Sequence, residues 1–116
     1  MDIQVIPLAQ ILPYAKNPKK HKLSWIIESI LIGLPEELRH SDDPEICQQR
    51  DQHIIERLVD QPIVVDENMV ILKGHGRHEA AKQLGLSAFP VYIKRGLSEV
   101  EKKKLRIADN RSQGIR

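Results

Sequence analysis

The sequence has few aromatic residues and a single cysteine. Aromatic side chains make up 3% of the 116 residues, and Cys47 is the only thiol. Few aromatics argue against a base-stacking platform of the kind that binds single-stranded nucleic acid. One cysteine excludes an internal disulfide. The sequence also shows no signal peptide and no apolar run long enough to span a membrane. These absences predict a cytoplasmic protein with no membrane partner.

Charge is distributed unevenly along the chain. The formal net charge is +2, yet residues 35–60 contain eight acidic and three basic residues and so carry −5. The rest of the sequence therefore carries +7. A basic body is typical of a protein that binds a polyanion, but the solvated surface of many soluble proteins has a similar composition. Both interpretations stay open at this point.

Hydrophobic periodicity and turn residues predict the order β, α, α, β, β, α, β, α. The predicted strands cover 3–6, 63–65, 70–72 and 89–94. The predicted helices cover 23–34, 44–60, 77–84 and a final segment that follows Ser98 as N-cap, with Glu101 completing a capping box. The length suits one domain, so we expect residues 1–116 to form a single α+β domain with a small mixed sheet packed with helices.

The final helix is expected to bury an apolar face and to expose a basic one. The apolar face consists of Val100, Leu105 and Ala108. The basic residues are Lys102, Lys103, Lys104 and Arg106. That basic face is either solvated or a track for DNA phosphates. The two large aromatic residues Trp25 and Phe89 are expected in the core.

The stretch "ILKGHGRHEAAKQLG", residues 71–85, places a glycine-rich basic turn between a strand and a helix. The first amides of a helix lack intrahelical partners and carry partial positive charge. Glycine lets the backbone approach a phosphate closely, so Gly74, Gly76 and the amides of Arg77 and His78 can form an anion cradle. The Arg77 guanidinium can add a bidentate contact. A turn that binds no ligand can have the same residues, so the motif alone does not distinguish an anion-binding turn from a purely structural one.

His75 and Glu79 are the candidate catalytic residues. His75 can contact a phosphate or transfer a proton, since its ordinary pKa lies near neutrality; as a plain turn residue it would be exposed. Glu79 is either a general base or the partner of Lys82 on the same helix face. His75 and Glu79 alone do not make a metal site, so we assign no metal ligands.

Three motifs in this order resemble the ParB/sulfiredoxin superfamily, and specifically its ParB N-terminal-like, or ParB-like nuclease, domains. They are N-P-x-x-H at 17–21, G-H-G-R-x-E-A-A at 74–81 and I-A-D-N-R at 107–111. Relatives usually pass from the first helix to the strand that matches "QPIVV" within a few residues. Here residues 35–60 intervene, and we interpret them as an acidic helical insert.

The resemblance implies that nucleotide phosphates lie on the G-H-G-R turn. The matched turn residues are Gly74, His75, Gly76 and Arg77. An opening box, which we define as Asn17, Lys19, Lys20 and His21, is expected to assist. Asp109 and Asn110 match the family's "ADN" ending, for which we have no role. Partition proteins of this family bind and hydrolyse CTP and act as a DNA clamp, sulfiredoxins bind ATP, and other relatives resemble nucleases or small-molecule kinases. Sulfiredoxins have a reactive cysteine where this chain has His75, so sulfinic acid repair is not expected.

We therefore predict a nucleotide-binding, DNA-associated regulator or accessory factor of a phage, plasmid or other mobile element. The expected ligand is a nucleoside triphosphate, CTP or ATP, with Mg²⁺ as a bridge between phosphates. One alternative is a nuclease, NTPase or phosphotransferase of the same fold. Another is an adaptor that recruits a protein through 35–60. A homodimer is left open.

Overall fold

The computed structural model describes residues 3–15, 23–39 and 42–113, with the backbone alone for 110–113. The opening box lies outside the described residues, as does the side chain of Asn110. The elements in chain order are β1 (Ile3–Pro7), a 3₁₀ turn (Leu8–Gln10), α1 (Leu23–Leu31), α2 (Glu36–Arg39), α3 (Pro44–Arg57), β2 (Ile63–Val65), β3 (Ile71–Lys73), α4 (His75–Leu84), β4 (Ala88–Ile93) and α5 (Glu99–Gln113).

The four strands form one mixed sheet in the order β1-β4-β2-β3. β1 is antiparallel to β4, β2 is parallel to β4, and β3 is antiparallel to β2. β3 is an end strand, but its outer side is not bare. Leu12 donates to the Met69 carbonyl and accepts from the Ile71 amide, both at 2.9 Å. The fold is α+β with a small mixed sheet, as the sequence predicted.

The core lies between the sheet and the helices. Ile63, Val65, Ile71, Phe89 and Val91 are completely buried on the strands. Helices α1, α3 and α4 contribute Ile30, Leu31, Ile54, Ala80 and Ala81 from their inner faces. α1 packs on α4, α3 on β4, and α5 lies along β3. The apolar spacing of the first two predicted helices therefore identified their buried faces correctly.

Local signals placed several element ends. Asp43 caps α3 by accepting from the Glu45 amide at 2.9 Å. At the end of α4, Gly85 has φ +75° and the Leu86 amide donates to the Ala81 carbonyl at 3.0 Å, which is a Schellman cap. The Ser98 amide donates to the Glu101 carboxylate at 2.9 Å and the Ser98 hydroxyl accepts from the Glu101 amide at 3.1 Å. These reciprocal bonds confirm the capping box.

The predicted inner face of α5 is wrong for two of its three residues. Val100 is 61% exposed and Ala108 is also exposed, whereas Leu105 is half-buried. The residues that face inwards are Lys102, Arg106 and Asp109, which are 4%, 7% and 1% exposed. α5 packs against a strand edge and two turns rather than against an apolar surface. The carbonyl of the strand edge and the amides and carboxylate of the turns need charged partners from α5. The four basic residues predicted to form one exposed face do not do so. Lys103 and Lys104 are exposed, whereas Lys102 and Arg106 are buried.

Three smaller expectations also fail. Trp25 is 61% exposed and is not a core residue, whereas Phe89 is completely buried as expected. α4 begins at His75, two residues before the predicted start at Arg77. The short helix α2 was not predicted, because "PEELR" is too short to show a period. The acidic segment 35–60 does contain helices, namely α2 and all of α3.

Candidate functional site

The turn that leads into α4 requires glycine at its first position. Gly74 is the N-cap and has φ +102°, a left-handed conformation that disfavours any side chain. A Cβ placed there would lie 3.3 Å from the Ile63 Cα, so sheet packing also disfavours one. Gly76 is buried at the second helical position. The chain therefore passes from β3 into α4 with its backbone close to β2.

A side chain from α5 already occupies the first amides of α4. One carboxylate oxygen of Asp109, Oδ1, accepts from the Gly74 amide at 3.0 Å. Its other oxygen, Oδ2, accepts from the His75 amide at 3.3 Å and lies 2.9 Å from the His75 Nδ1. The His78 amide donates to the Gly74 carbonyl at 3.0 Å as the first bond of the helix. The expectation that the His78 amide contacts phosphate is therefore wrong.

The Asp109 carboxylate is ionised in this setting. Burial raises its pKa, but the hydrogen bonds from the His75 ring and from the amides of Gly74 and His75 outweigh burial and hold the pKa below its ordinary value. The positive end of the α4 dipole acts in the same direction. A buried carboxylate with these donors is a capping anion for α4.

Both ring nitrogens of His75 have partners, and these partners fix its tautomer. The Tyr14 amide can only donate, and it lies 3.3 Å from His75 Nε2, so Nε2 is the acceptor. The proton is consequently on Nδ1, where it is donated to Asp109. His75 is 3% exposed, so the alternative of a water-exposed turn histidine is wrong. His75 links the segment before the opening box to α4 and α5, and its catalytic role stays a prediction.

Arg77 is half-buried at the third position of α4. Burial lowers the pKa of its guanidinium, and the nearby charge of Asp109 partly offsets this. Glu79 is exposed two residues further on. The structure thus brings Gly74, His75, Gly76 and Arg77 together at one corner and leaves Glu79 on the outer side of α4.

A second charged cluster lies at the other end of β3. Asp66 accepts from the amides of Asn68 and Val70 at 2.8 and 3.1 Å, which closes the turn between β2 and β3. Lys102 Nζ lies 3.2 Å from Asp66 and 3.0 Å from Glu67. Burial raises the pKa of Asp66, but the hydrogen bonds from these amides and the contact with Lys102 outweigh burial. The pKa of Asp66 is therefore below its ordinary value. The hydrogen bond to Glu67 raises the pKa of Lys102.

Between the two clusters, Arg106 connects α5 to the strand edge and to Tyr14. Its Nε donates to the buried Ile71 carbonyl at 2.9 Å. Its guanidinium carbon lies 4.0 Å from the centre of the Tyr14 ring. A cavity of about 420 Å³ adjoins this contact and is lined by Leu12–Ala15, Asp66, Asn68, Val70, Glu99, Lys102 and Arg106. Tyr14 therefore borders both the cavity and the corner at Gly74.

This chain is similar in sequence to one known protein and in structure to another. The ParB-like nuclease domain-containing protein YnaK of Escherichia coli K12 is 24% identical over 98 residues, which is 84% of this chain and 88% of that protein. A crystal structure of C-terminally truncated chromosome-partitioning protein ParB from Caulobacter crescentus, complexed with CTP-γ-S, aligns with TM-score 0.60 and 17% identity. The chain has a ParB-like fold.

The alignment with the Caulobacter protein covers all of this chain but 56% of the partition protein, so this chain spans about half the length of that protein. A Pnob8-like ParB-N domain aligns at TM-score 0.46 and 14% identity over 90% of this chain. No protein-family model matches the sequence. Within the described residues, none of the helices has the length and hydrophobicity needed to cross a bilayer.

Sequence reasoning missed three residues of the ParB-like domain that organise this corner. Asp109 was noted only as part of a motif, and Tyr14 and Arg106 were not assigned to the site. The spacing of 102, 106 and 109 is a helix-face spacing, so the pattern was visible, but it is formed by charged residues that are ordinarily exposed. Among the described residues, no three His, Cys, Asp or Glu side chains are grouped as metal ligands.

Proposed function

We propose that this ParB-like domain binds a nucleoside triphosphate, with its phosphates at the corner formed by Gly74–Arg77. The observation that carries the proposal is the half-buried guanidinium of Arg77 beside a helix N-terminus. Burial lowers the Arg77 pKa, which means that its charge lacks part of its solvation. A phosphate there would restore that stabilisation through charge-assisted hydrogen bonds. The likeness in fold to a partition protein complexed with CTP-γ-S is consistent with this ligand class.

The opening box is the proposed second side of the site. The hydrogen bond from the Tyr14 amide to His75 holds the chain next to the turn just before the box begins. Asn17, Lys19, Lys20 and His21 follow within seven residues of Tyr14. We infer from this proximity in sequence that the lysine ammonium groups assist in binding the phosphates at Arg77. Mg²⁺ bridging the phosphates would add charge compensation without requiring a cage of protein ligands.

The test is calorimetric titration with CTP, ATP and GTP, each with and without Mg²⁺. We expect at least one triphosphate to bind, and Arg77→Gln to lose roughly tenfold or more in affinity, because hydrogen bonds to charged groups contribute about 1.5–3 kcal/mol each. Arg95→Gln is the matched control. Arg95 is exposed and follows the end of β4 that lies away from the Gly74–Arg77 corner. Failure of all three nucleotides to bind, or equal losses in both variants, would refute the proposal.

Association with DNA is the proposed context, as a regulator or accessory factor of a phage, plasmid or other mobile element. Support comes from the net charge of +7 outside residues 35–60 and from the exposed Lys103 and Lys104 on α5. Fluorescence anisotropy with duplex DNA, with and without nucleotide, tests this. Replacing both lysines by glutamine should weaken binding and reduce the salt slope by about two units. An unchanged slope would count against this face, and sedimentation of the same samples tests for a homodimer.

A nuclease is the second candidate, favoured by the name of the relative YnaK. Glu79 is exposed on α4 and is therefore accessible as a general base, unlike the enclosed His75. DNA cleavage assays with Mg²⁺ or Mn²⁺ test this, with Glu79→Gln expected to abolish turnover and Lys82→Gln as a neighbouring control. Recruitment of a protein through 35–60 stays a prediction.

A further inference from the structure

The carboxylate of Asp109 is seated where an anion binds at a helix N-terminus. Both of its oxygens accept backbone amides, from Gly74 at 3.0 Å and from His75 at 3.3 Å. The residue is 1% exposed. These amides and the positive end of the helix dipole are the groups that also favour a bound phosphate. An internal anion therefore already uses donors that the proposed ligand would need.

The packing of α5 holds Asp109 in this position. One turn earlier, Arg106 donates to the Ile71 carbonyl at 2.9 Å. One turn before that, Lys102 lies 3.2 Å from Asp66. The three side chains share one face of α5, and each binds a different feature of β3 or its flanking turns. Asp109 is thus delivered to α4 by the docking of the whole helix and not by a flexible loop.

We propose that Asp109 acts as an internal anion that competes with a phosphate group for the start of α4. The inference rests on the proposed function, because it concerns the regulation of that same site. A phosphate approaching Arg77 meets a negative charge on the adjacent amides, and like charges in a partly buried site repel. Binding at the start of α4 must therefore displace the carboxylate from the amides of Gly74 and His75. The free energy spent on that displacement lowers the affinity for phosphate.

The experiment compares wild type with Asp109→Asn by calorimetry, using inorganic tripolyphosphate and the nucleotides as probes. Asparagine keeps an acceptor oxygen but removes the charge. We expect tripolyphosphate to bind Asp109→Asn more tightly, on the order of tenfold, since a unit charge within roughly 10 Å in a partly buried site acts on that scale. The gain should shrink at high salt, because screening weakens the repulsion in the wild type.

Two further variants make the comparison specific. Asp109→Glu keeps the charge and should show no gain. Asp66→Asn is matched to Asp109→Asn, since Asp66 is also buried, accepts two backbone amides and faces α5, but it lies at the other end of β3. It should destabilise the fold without tightening tripolyphosphate binding. Equal or weaker binding by a folded Asp109→Asn variant would overturn the inference. If neither protein binds any probe, the proposed function itself fails.

A measurement on the wild type applies even if Asp109→Asn does not fold. Displacement of the carboxylate would free the last turns of α5, so hydrogen exchange of residues 105–113 should become faster when tripolyphosphate is added. Exchange in α3 serves as the internal reference. Unchanged or slower exchange in the last turns of α5, with tripolyphosphate bound, would show that Asp109 keeps its amides and does not compete.

Discussion

Replacing Arg106 by methionine removes a donor from the edge of the sheet while keeping a side chain of similar length. The Ile71 amide already donates to Leu12, on the side of β3 that faces away from β2, and the Ile71 carbonyl points to that same side. Arg106 supplies the donor for this carbonyl at 2.9 Å. Without it, a buried carbonyl is left unsatisfied, which costs about 1–3 kcal/mol. Loss of the contact with the Tyr14 ring at 4.0 Å adds about 0.5–2 kcal/mol.

The expected loss of unfolding free energy is therefore about 1.5–5 kcal/mol, large enough to lower the melting temperature by roughly 10 °C. Urea denaturation followed by circular dichroism measures it. Lys104→Met is the control, since Lys104 is exposed on the same helix and surface changes of this kind stay within about 0.5 kcal/mol. A variant at Arg106 as stable as the control would refute the reasoning, because the carbonyl would then have found another partner.

Two further predictions concern the turn at the start of α4 and the response to acid. Gly74→Ala should cost about 1–3 kcal/mol in urea unfolding, because it combines left-handed strain with a Cβ 3.3 Å from Ile63. Gly85→Ala should cost less, since it meets no atom within 4 Å; equal costs would contradict the packing argument. Asp66 and Asp109 have lowered pKa values in the fold, so the stability they contribute is present above their ordinary value of 3.8 and is lost as pH falls below it. Urea unfolding between pH 6 and 3 should therefore show a steep loss in the wild type and a shallower one in Asp66→Asn or Asp109→Asn; parallel slopes would refute it.

The sequence was sufficient for the fold wherever a local rule determined the structure. Period-3.6 spacing located the buried faces of α1 and α3, and caps at Asp43, Ser98 and Gly85 placed helix ends. These signals act over a few residues, so no tertiary information was needed.

The organisation of the site could not be derived that way. Hydrophobic periodicity pointed to Val100 and Leu105 as the inner face of α5, since apolar residues ordinarily pack inwards. The surface that α5 meets consists of an unpaired carbonyl, a turn carboxylate and the first amides of α4. The carbonyl needs a cationic donor, the carboxylate needs a cation and the amides need an anion. These groups belong to residues more than 30 positions before their partners on α5. Only the assembled sheet shows why a helix would bury Arg106 and Asp109.

One consequence is that stability and ligand affinity are coupled through α5. The helix reaches β3 through Arg106 and reaches the start of α4 through Asp109, which also orients His75. His75 in turn accepts from the Tyr14 amide. A variant that loosens α5 at Arg106 will shift the anion at α4 and the contacts of Tyr14 at the same time. Affinity measured in such a variant mixes the effect of a weaker internal competitor with the effect of a less firmly held Tyr14. Arg77 lies on α4 and is coupled to this chain of contacts through the charge of Asp109, but replacing it leaves the contact of Arg106 with β3 in place. Arg77→Gln therefore tests loss of a phosphate contact without loosening α5 at Arg106.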